Sequence, residues 1–168
     1  NGHPDFADRK FDLSQENVVV VGMGNVAMDV ARILCKTHEE LAVTDMADHA
    51  LKVLKQSKVK NVYILGRRGP AQAAFTPPEI KEMGEFAEAD VNILAAEAKL
   101  DGASQTMLDE SQDRNTLKNV TFVQDYAVRV NQHKPRQLHI RFLVSPVELI
   151  GEAGDVQAVK MIKNELYT

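Results

Sequence analysis

The tightest constraint on this chain is a change of hydrophobic period at a pair of glycines. Asn17-Val18-Val19-Val20-Val21 is a β-branched run without alternation, which predicts a strand covered on both faces, as in a parallel sheet. It ends in Gly22-Met23-Gly24. From Asn25 onward Ala27, Val30, Ala31 and Leu34 fall at helical spacing, so the chain passes from strand to helix across G-x-G-x-x-A. In such a turn the first glycine permits a tight bend and the second lets backbone approach a pyrophosphate, while a small third residue allows close helix–strand packing. The helix start adds free N–H groups and a partial positive charge suited to an anion. The six residues alone also fit a purely structural turn; the strand–turn–helix setting favours nucleotide binding.

The rest of the pattern extends this unit. Residues 37–43 interrupt the helical period, a second amphipathic helix is predicted over residues 45–57, and Val62-Tyr63-Ile64-Leu65 reads as a second buried strand. Strand, helices and strand make a right-handed crossover with parallel strands. A loop over residues 66–75 leads to Thr76-Pro77-Pro78-Glu79, a helix start with an N-cap, an N1 proline and the Glu of a capping box, reaching about residue 87. Residues 95–119 show no firm period and are expected to be a mobile helix or long loop. Short β-rich runs over residues 138–144, 146–150 and 156–164 predict an antiparallel meander attached to the sheet. The fold class is α/β: a Rossmann-like parallel sheet with flanking helices plus a short antiparallel β meander. Residues 1–16 read as an interdomain strap and residues 17–168 as the dinucleotide-binding domain.

The nucleotide preferred depends on what ends the second strand, because an acid there would hold a ribose 2′-OH and arginine a 2′-phosphate. The strand runs directly into Gly66-Arg67-Arg68-Gly69. Between His49 and Pro78 there are six basic residues and no acidic one, a local field that attracts a highly charged anion. Arg67 and Arg68 could also be solvated loop residues. Their place at a strand end between two glycines favours phosphate contact.

Composition narrows the classes further. With 20 basic and 24 acidic residues the formal charge is −4, unlike a generic nucleic-acid binder. No run approaches the length of a membrane span, and the one cysteine, Cys35, suits a reducing, cytoplasmic setting and reads as a small buried apolar group. The five histidines lack metal-ligand spacing, so no metal site is expected. Residues 79–113 carry ten acidic side chains against two basic ones and read as a solvated face. The opening Asn1-Gly2-His3-Pro4 reads like a cut within a longer polypeptide.

The strings from Val20 to Leu34 and from Leu65 to Thr76 together resemble the NADP-binding domain of adrenodoxin reductase and its bacterial ferredoxin-NADP reductase relatives. Pro77-Pro78-Glu79-Ile80-Lys81-Glu82-Met83 and Arg141-Phe142-Leu143-Val144-Ser145-Pro146 are similar to later landmarks of that family. The resemblance spans about residues 1–165, with little motif information over residues 95–135.

It implies an NADP(H) domain inserted in a glutathione reductase-like FAD flavoprotein. Hydride would pass from NADPH to an FAD bound by the missing domain, and electrons would leave to a ferredoxin-like iron–sulfur protein. The fragment alone would be inactive. Carried over by resemblance, Gly22, Gly24, Asn25 and Val26 would lie under the pyrophosphate, Arg67 and Arg68 would hold the 2′-phosphate, and Glu79 would approach the nicotinamide carboxamide. For Glu79 the capping box with Thr76 is an equal alternative. Glu82 resembles the family carboxylate that pairs with a flavin-domain His, an indirect catalytic role; without that His it is expected to be a solvated helix residue. The alternative from a different class is a stand-alone dinucleotide-binding regulatory module without redox activity.

Overall fold

The computed structural model describes Asp5, residues 10–111 and residues 113–166. Most of the strap expected over residues 1–16 lies outside those residues; residues 10–16 form neither helix nor strand. Four parallel strands follow, β1 (Asn17–Val21), β2 (Asn61–Leu65), β3 (Ala89–Ile93) and β4 (Arg136–Arg141), in the spatial order β1-β2-β4-β3. Helix α1 (Asn25–Cys35), the short α2 (His38–Ala42) and α3 (Asp48–Lys55) cross from β1 to β2. A 3-10 turn (Pro70–Gln72) and α4 (Pro77–Met83) lead to β3; α5 (Ala95–Ala98), α6 (Gly102–Glu110) and α7 (Arg114–Val128) lead to β4. A two-stranded antiparallel ribbon, β5 (Val144–Glu152) and β6 (Asp155–Lys163), completes the chain.

One face of the sheet is the core. The row Val18, Val62, Leu138 and Val91 runs in register across the strands, and Met28, Ile80, Met83, Val123 and Phe142 pack with it at near-zero exposure. The opposite row is Val19, Tyr63, His139 and Asn92, in which Tyr63 and His139 stack at 4.6 Å. Coverage of β1 on both faces is therefore not observed: β1 is an edge strand, and Val19 and Val21 are 39% and 65% exposed. A β-branched run reports strand propensity more firmly than the position of the strand in a sheet. Val30 likewise faces outward, and Met28 takes the inner place on α1.

Three further expectations are corrected. Residues 37–43 hold α2, stabilised by a capping box in which Glu40 N–H donates to Thr37 Oγ1 and Thr37 N–H to Glu40. Residues 89–93, inside the acidic stretch, form β3; of the two readings for residues 95–119, helix or loop, the helical one holds through α5, α6 and the start of α7. The run over residues 138–144 belongs to the parallel sheet through β4, with only β5 and β6 antiparallel. The acidic stretch is not simply a solvated face either, since Asp90 and Glu97 are buried. Asp90 accepts from the N–H groups of Gln132 and Lys134, which offset its burial and hold the carboxyl below its ordinary range. Glu97 accepts from the Arg141 guanidinium and from Phe142 N–H, joining α5 to the end of β4.

Helix α7 buttresses the segment that carries the candidate site. Tyr126 donates to the carbonyls of Ile80 and Lys81 at the end of α4, and Asn119 Nδ2 to Phe75 O at 2.8 Å. Gly84 makes room for this, because a Cβ there would meet the Tyr126 hydroxyl at 2.4 Å. Among the described residues no helix is long and apolar enough to cross a membrane.

Candidate functional site

The glycine turn closes onto the end of β2. Gly22 N–H donates to Leu65 O at 2.9 Å, and Ala74 N–H to Met23 O at 2.9 Å, so the 66–75 loop is zipped along the turn. Gly22 has φ +139, a region that favours glycine. Gly24 differs: at φ −120 and ψ 179 it is extended backbone open to any residue, and an added Cβ would meet only Ala74 Cβ, at 4.0 Å. Neither backbone nor packing requires glycine at position 24. Gly24 lines a cavity of about 430 Å³ in front of the turn. Gly24 is also the N-cap of α1 and supplies no capping side chain, so the helix start keeps N–H groups for an outside acceptor.

The cavity brings Gly22, Gly24, Arg67 and Arg68 together. Asn25 and Val26 line an adjoining groove that shares both glycines. Val26 is 78% exposed, whereas Asn25 uses its Oδ1 to accept the N–H of Thr76 at 2.9 Å. The arginine loop is fixed through its main chain: Leu143 N–H donates to Arg68 O at 3.1 Å, and Asn164 Nδ2 to Arg67 O at 2.8 Å. Leu143 makes its bond from a left-handed conformation, φ 55, a strain of about 1–3 kcal/mol at a non-glycine residue. Both guanidinium groups are exposed, with no hydrogen bond or ion pair among the described residues. The site thus combines a rigid backbone with two uncommitted positive charges.

Glu79 and Glu82 line neither cavity nor groove. Thr76 makes no side-chain cap, and its N–H is taken by Asn25, so the capping box is not formed. Glu79 instead pairs with Arg32 of α1. Glu82 is not merely solvated: Lys36 Nζ lies 2.9 Å from its Oε1 and Arg32 Nε 3.0 Å from its Oε2. Arg32 lies in the last turn of α1 and Lys36 is its C-cap, and together they capture the carboxylates of Glu79 and Glu82, one turn apart on α4. The Lys36 hydrogen bond, ahead of the charge of Arg32, outweighs burial and holds the Glu82 carboxyl below its usual range. On Arg32 the carboxylates outweigh desolvation and hold the guanidinium above its ordinary value.

Sequence reasoning missed Gln72 and Ser145 as cavity residues and Arg32 as the partner of both glutamates. Gln72 donates through Nε2 to Ser104 Oγ at 2.9 Å, but its Oε1 is buried without a partner at the cavity wall. The basic pair at i and i+4 in α1 was readable; what it faced was not.

A glycine cradle at a strand–helix junction in a parallel sheet, flanked by uncommitted arginines, defines a dinucleotide-binding class of α/β domain. No family model matches the chain. The NADPH-ferredoxin reductase FprA of Mycobacterium leprae is 42% identical over 168 residues, covering 100% of this chain and 36% of the relative. The mitochondrial NADPH:adrenodoxin oxidoreductase of Arabidopsis thaliana is 36% identical over 172 residues, covering 99% of this chain and 36% of the relative. A solved structure of Mycobacterium tuberculosis FprA in complex with NADPH superposes with a TM-score of 0.89 at 38% identity, covering 99% of this chain and 36% of that one. Along its full length the chain is homologous to part of these adrenodoxin and bacterial ferredoxin-NADP reductases. It spans about a third of the length of the relatives it matches.

Proposed function

We propose that residues 17–168 are the NADP(H)-binding domain of a flavoprotein ferredoxin- or adrenodoxin-type NADP reductase, joined through a strap at residues 1–16 to an FAD-binding domain of the same polypeptide. The observation that carries the reading is the pairing of an unforced glycine, Gly24, with the uncommitted guanidinium groups of Arg67 and Arg68 around one cavity. In this assignment the backbone at Gly22, Gly24, Asn25 and Val26 faces the pyrophosphate, and the α1 N-terminus offsets its charge. Arg67 and Arg68 hold the 2′-phosphate, and the orphaned Gln72 Oε1 accepts a donor of the adenosine half. Glu79 lies at the nicotinamide end, and Glu82 supports it.

The flavin, held outside this chain, supplies hydride acceptance and the split into single electrons for an iron–sulfur protein. This domain contributes binding and alignment. Location in the cytoplasm is in keeping with the single, buried thiol. The alternative of a stand-alone regulatory module gains no support from the relatives, which are reductases.

Titration with NADP+ and NAD+ in parallel, followed by amide shifts at Gly22, Gly24, Arg67 and Arg68, tests the proposal. Preference for NADP+ with shifts at those positions is the expected result. Equal affinity, or shifts elsewhere, removes the arginines from the site.

A further inference from the structure

Beside the glycine turn, α1 and α4 hold a charge cluster that the phosphate contacts do not use. The Arg32 side chain is 17% exposed; its Nη1 donates to Asp29 and its Nη2 to Glu79, while its buried Nε lies 3.0 Å from Glu82 Oε2 as an ion pair without hydrogen-bond geometry. The two glutamates are held differently. Glu82 is engaged through both oxygens, by Lys36 and by Arg32. Glu79 is held through Oε2 alone, and its Oε1 accepts nothing from the described residues. Glu79 sits in the first turn of α4, just after Thr76, whose N–H is tied to Asn25 at the start of α1. A carboxylate with one oxygen fixed and one open therefore stands at the α1–α4 contact, on a helix whose N-cap is hydrogen-bonded to the start of α1.

We propose that Arg32 is a positioning residue for the nicotinamide end of the dinucleotide, fixing Glu79 by one oxygen so that the other accepts an N–H of the carboxamide. This rests on the NADP(H) reading given above. A glutamate on a helix surface samples several rotamers, and a ligand that needs one of them must order it; a guanidinium that already holds the side chain removes that cost. The planar fork matters, because its three nitrogens hold their partners at fixed separations in one plane, whereas an ammonium gathers its donors on a single, freely rotating point. Asp29 and Glu82 occupy the other two nitrogens and leave Nη2 for Glu79. Lys36 keeps Glu82 engaged from its other side.

The test compares NADP+ with 2′,5′-ADP, which keeps the 2′-phosphate half and lacks the nicotinamide, on wild type, Arg32→Ala, Arg32→Lys and Glu79→Gln. In Arg32→Ala, NADP+ is expected to bind about tenfold more weakly and 2′,5′-ADP within about twofold of wild type. Arg32→Lys should fall between, and Arg32→Ala combined with Glu79→Gln should be no weaker than Glu79→Gln alone. Equal losses on both nucleotides, or no loss on either, overturn the proposal. If Arg32→Ala fails to fold, Arg32→Lys and Glu79→Gln carry the same comparison. Should wild type prefer NADP+ over NAD+ while the Arg32 variants respond flatly, only this proposal falls. Should wild type bind neither nucleotide, the NADP(H) reading falls and takes this one with it.

Discussion

Arg67 and Arg68 expose both guanidinium groups and make no ion pair among the described residues, whereas Arg32 has a carboxylate at each of its three nitrogens. The same residue type is used in two opposite ways. At the loop the backbone is pinned by Leu143 and Asn164 while the charges stay in water, where an unpaired guanidinium costs nothing. At the α1–α4 contact the charges are partly buried and pair with one another. Vacancy marks where a ligand's charge can be received; saturation marks where a side chain is being held. The distinction implies that removing charge at the loop changes affinity and leaves stability alone, while removing it from a paired cluster costs stability as well.

The largest effect expected is on Arg67→Ala combined with Arg68→Ala. With about 1.5–3 kcal/mol for each charge-assisted hydrogen bond, NADP+ affinity should fall by at least about a hundredfold. NAD+ affinity should stay near wild type, and the unfolding free energy from urea titration within about 0.5 kcal/mol of it. A large stability loss would break the contrast. The next tests saturation at its most buried point: Glu97→Ala strands Arg141 and the Phe142 N–H and should cost about 3 kcal/mol in denaturant unfolding. A change below about 0.5 kcal/mol would show that this pair holds nothing.

Gly24→Val sharpens the comparison from the backbone side. Because φ −120 accepts a β-branched residue, stability should fall only by about 1 kcal/mol, the cost of a poorer N-cap, while NADP+ and NAD+ both weaken by about tenfold or more, read by calorimetry. Gly22→Val, at φ +139, should destabilise more strongly. The smallest effect concerns His139, stacked on Tyr63 in the sheet. Burial first, then the Arg141 charge, lowers its pKa below 6.5, so below that pH the unfolded chain binds more protons than the folded one. Stability should fall as pH drops through the window under 6.5 toward the lower native value, and His139→Phe should flatten that slope between pH about 7.5 and 5.5. An unchanged slope would show that His139 is not its source.

The glycine turn, the first crossover and the arginine loop were legible because each rests on local signals: a change of period, a strand end, a turn residue. The position of β1 at a sheet edge was not, since Val19 and Val21 read the same whether covered or exposed. β3 was hidden because Asp90 and Asn92 interrupt its apolar pattern, and their partners Gln132, Lys134 and Asn131 lie about forty residues away. Long-range pairing also explains Glu79, whose local capping box with Thr76 lost to an arginine 47 residues distant. For α2 the signal was present, in Thr37 and Glu40, and shortness concealed it.

Cys35, the last residue of α1, has no exposed surface, and burial pushes its thiol up to about 12. At neutral pH the native thiol is neither reachable nor ionised, so alkylation proceeds only through molecules in which this end of the helix has opened. The labelling rate is then a clock for that opening. A nucleotide seated at the other end of the same helix should slow it by the factor 1 + [L]/Kd, turning one sulfur atom into a gauge of occupancy that needs neither a chromophore nor turnover.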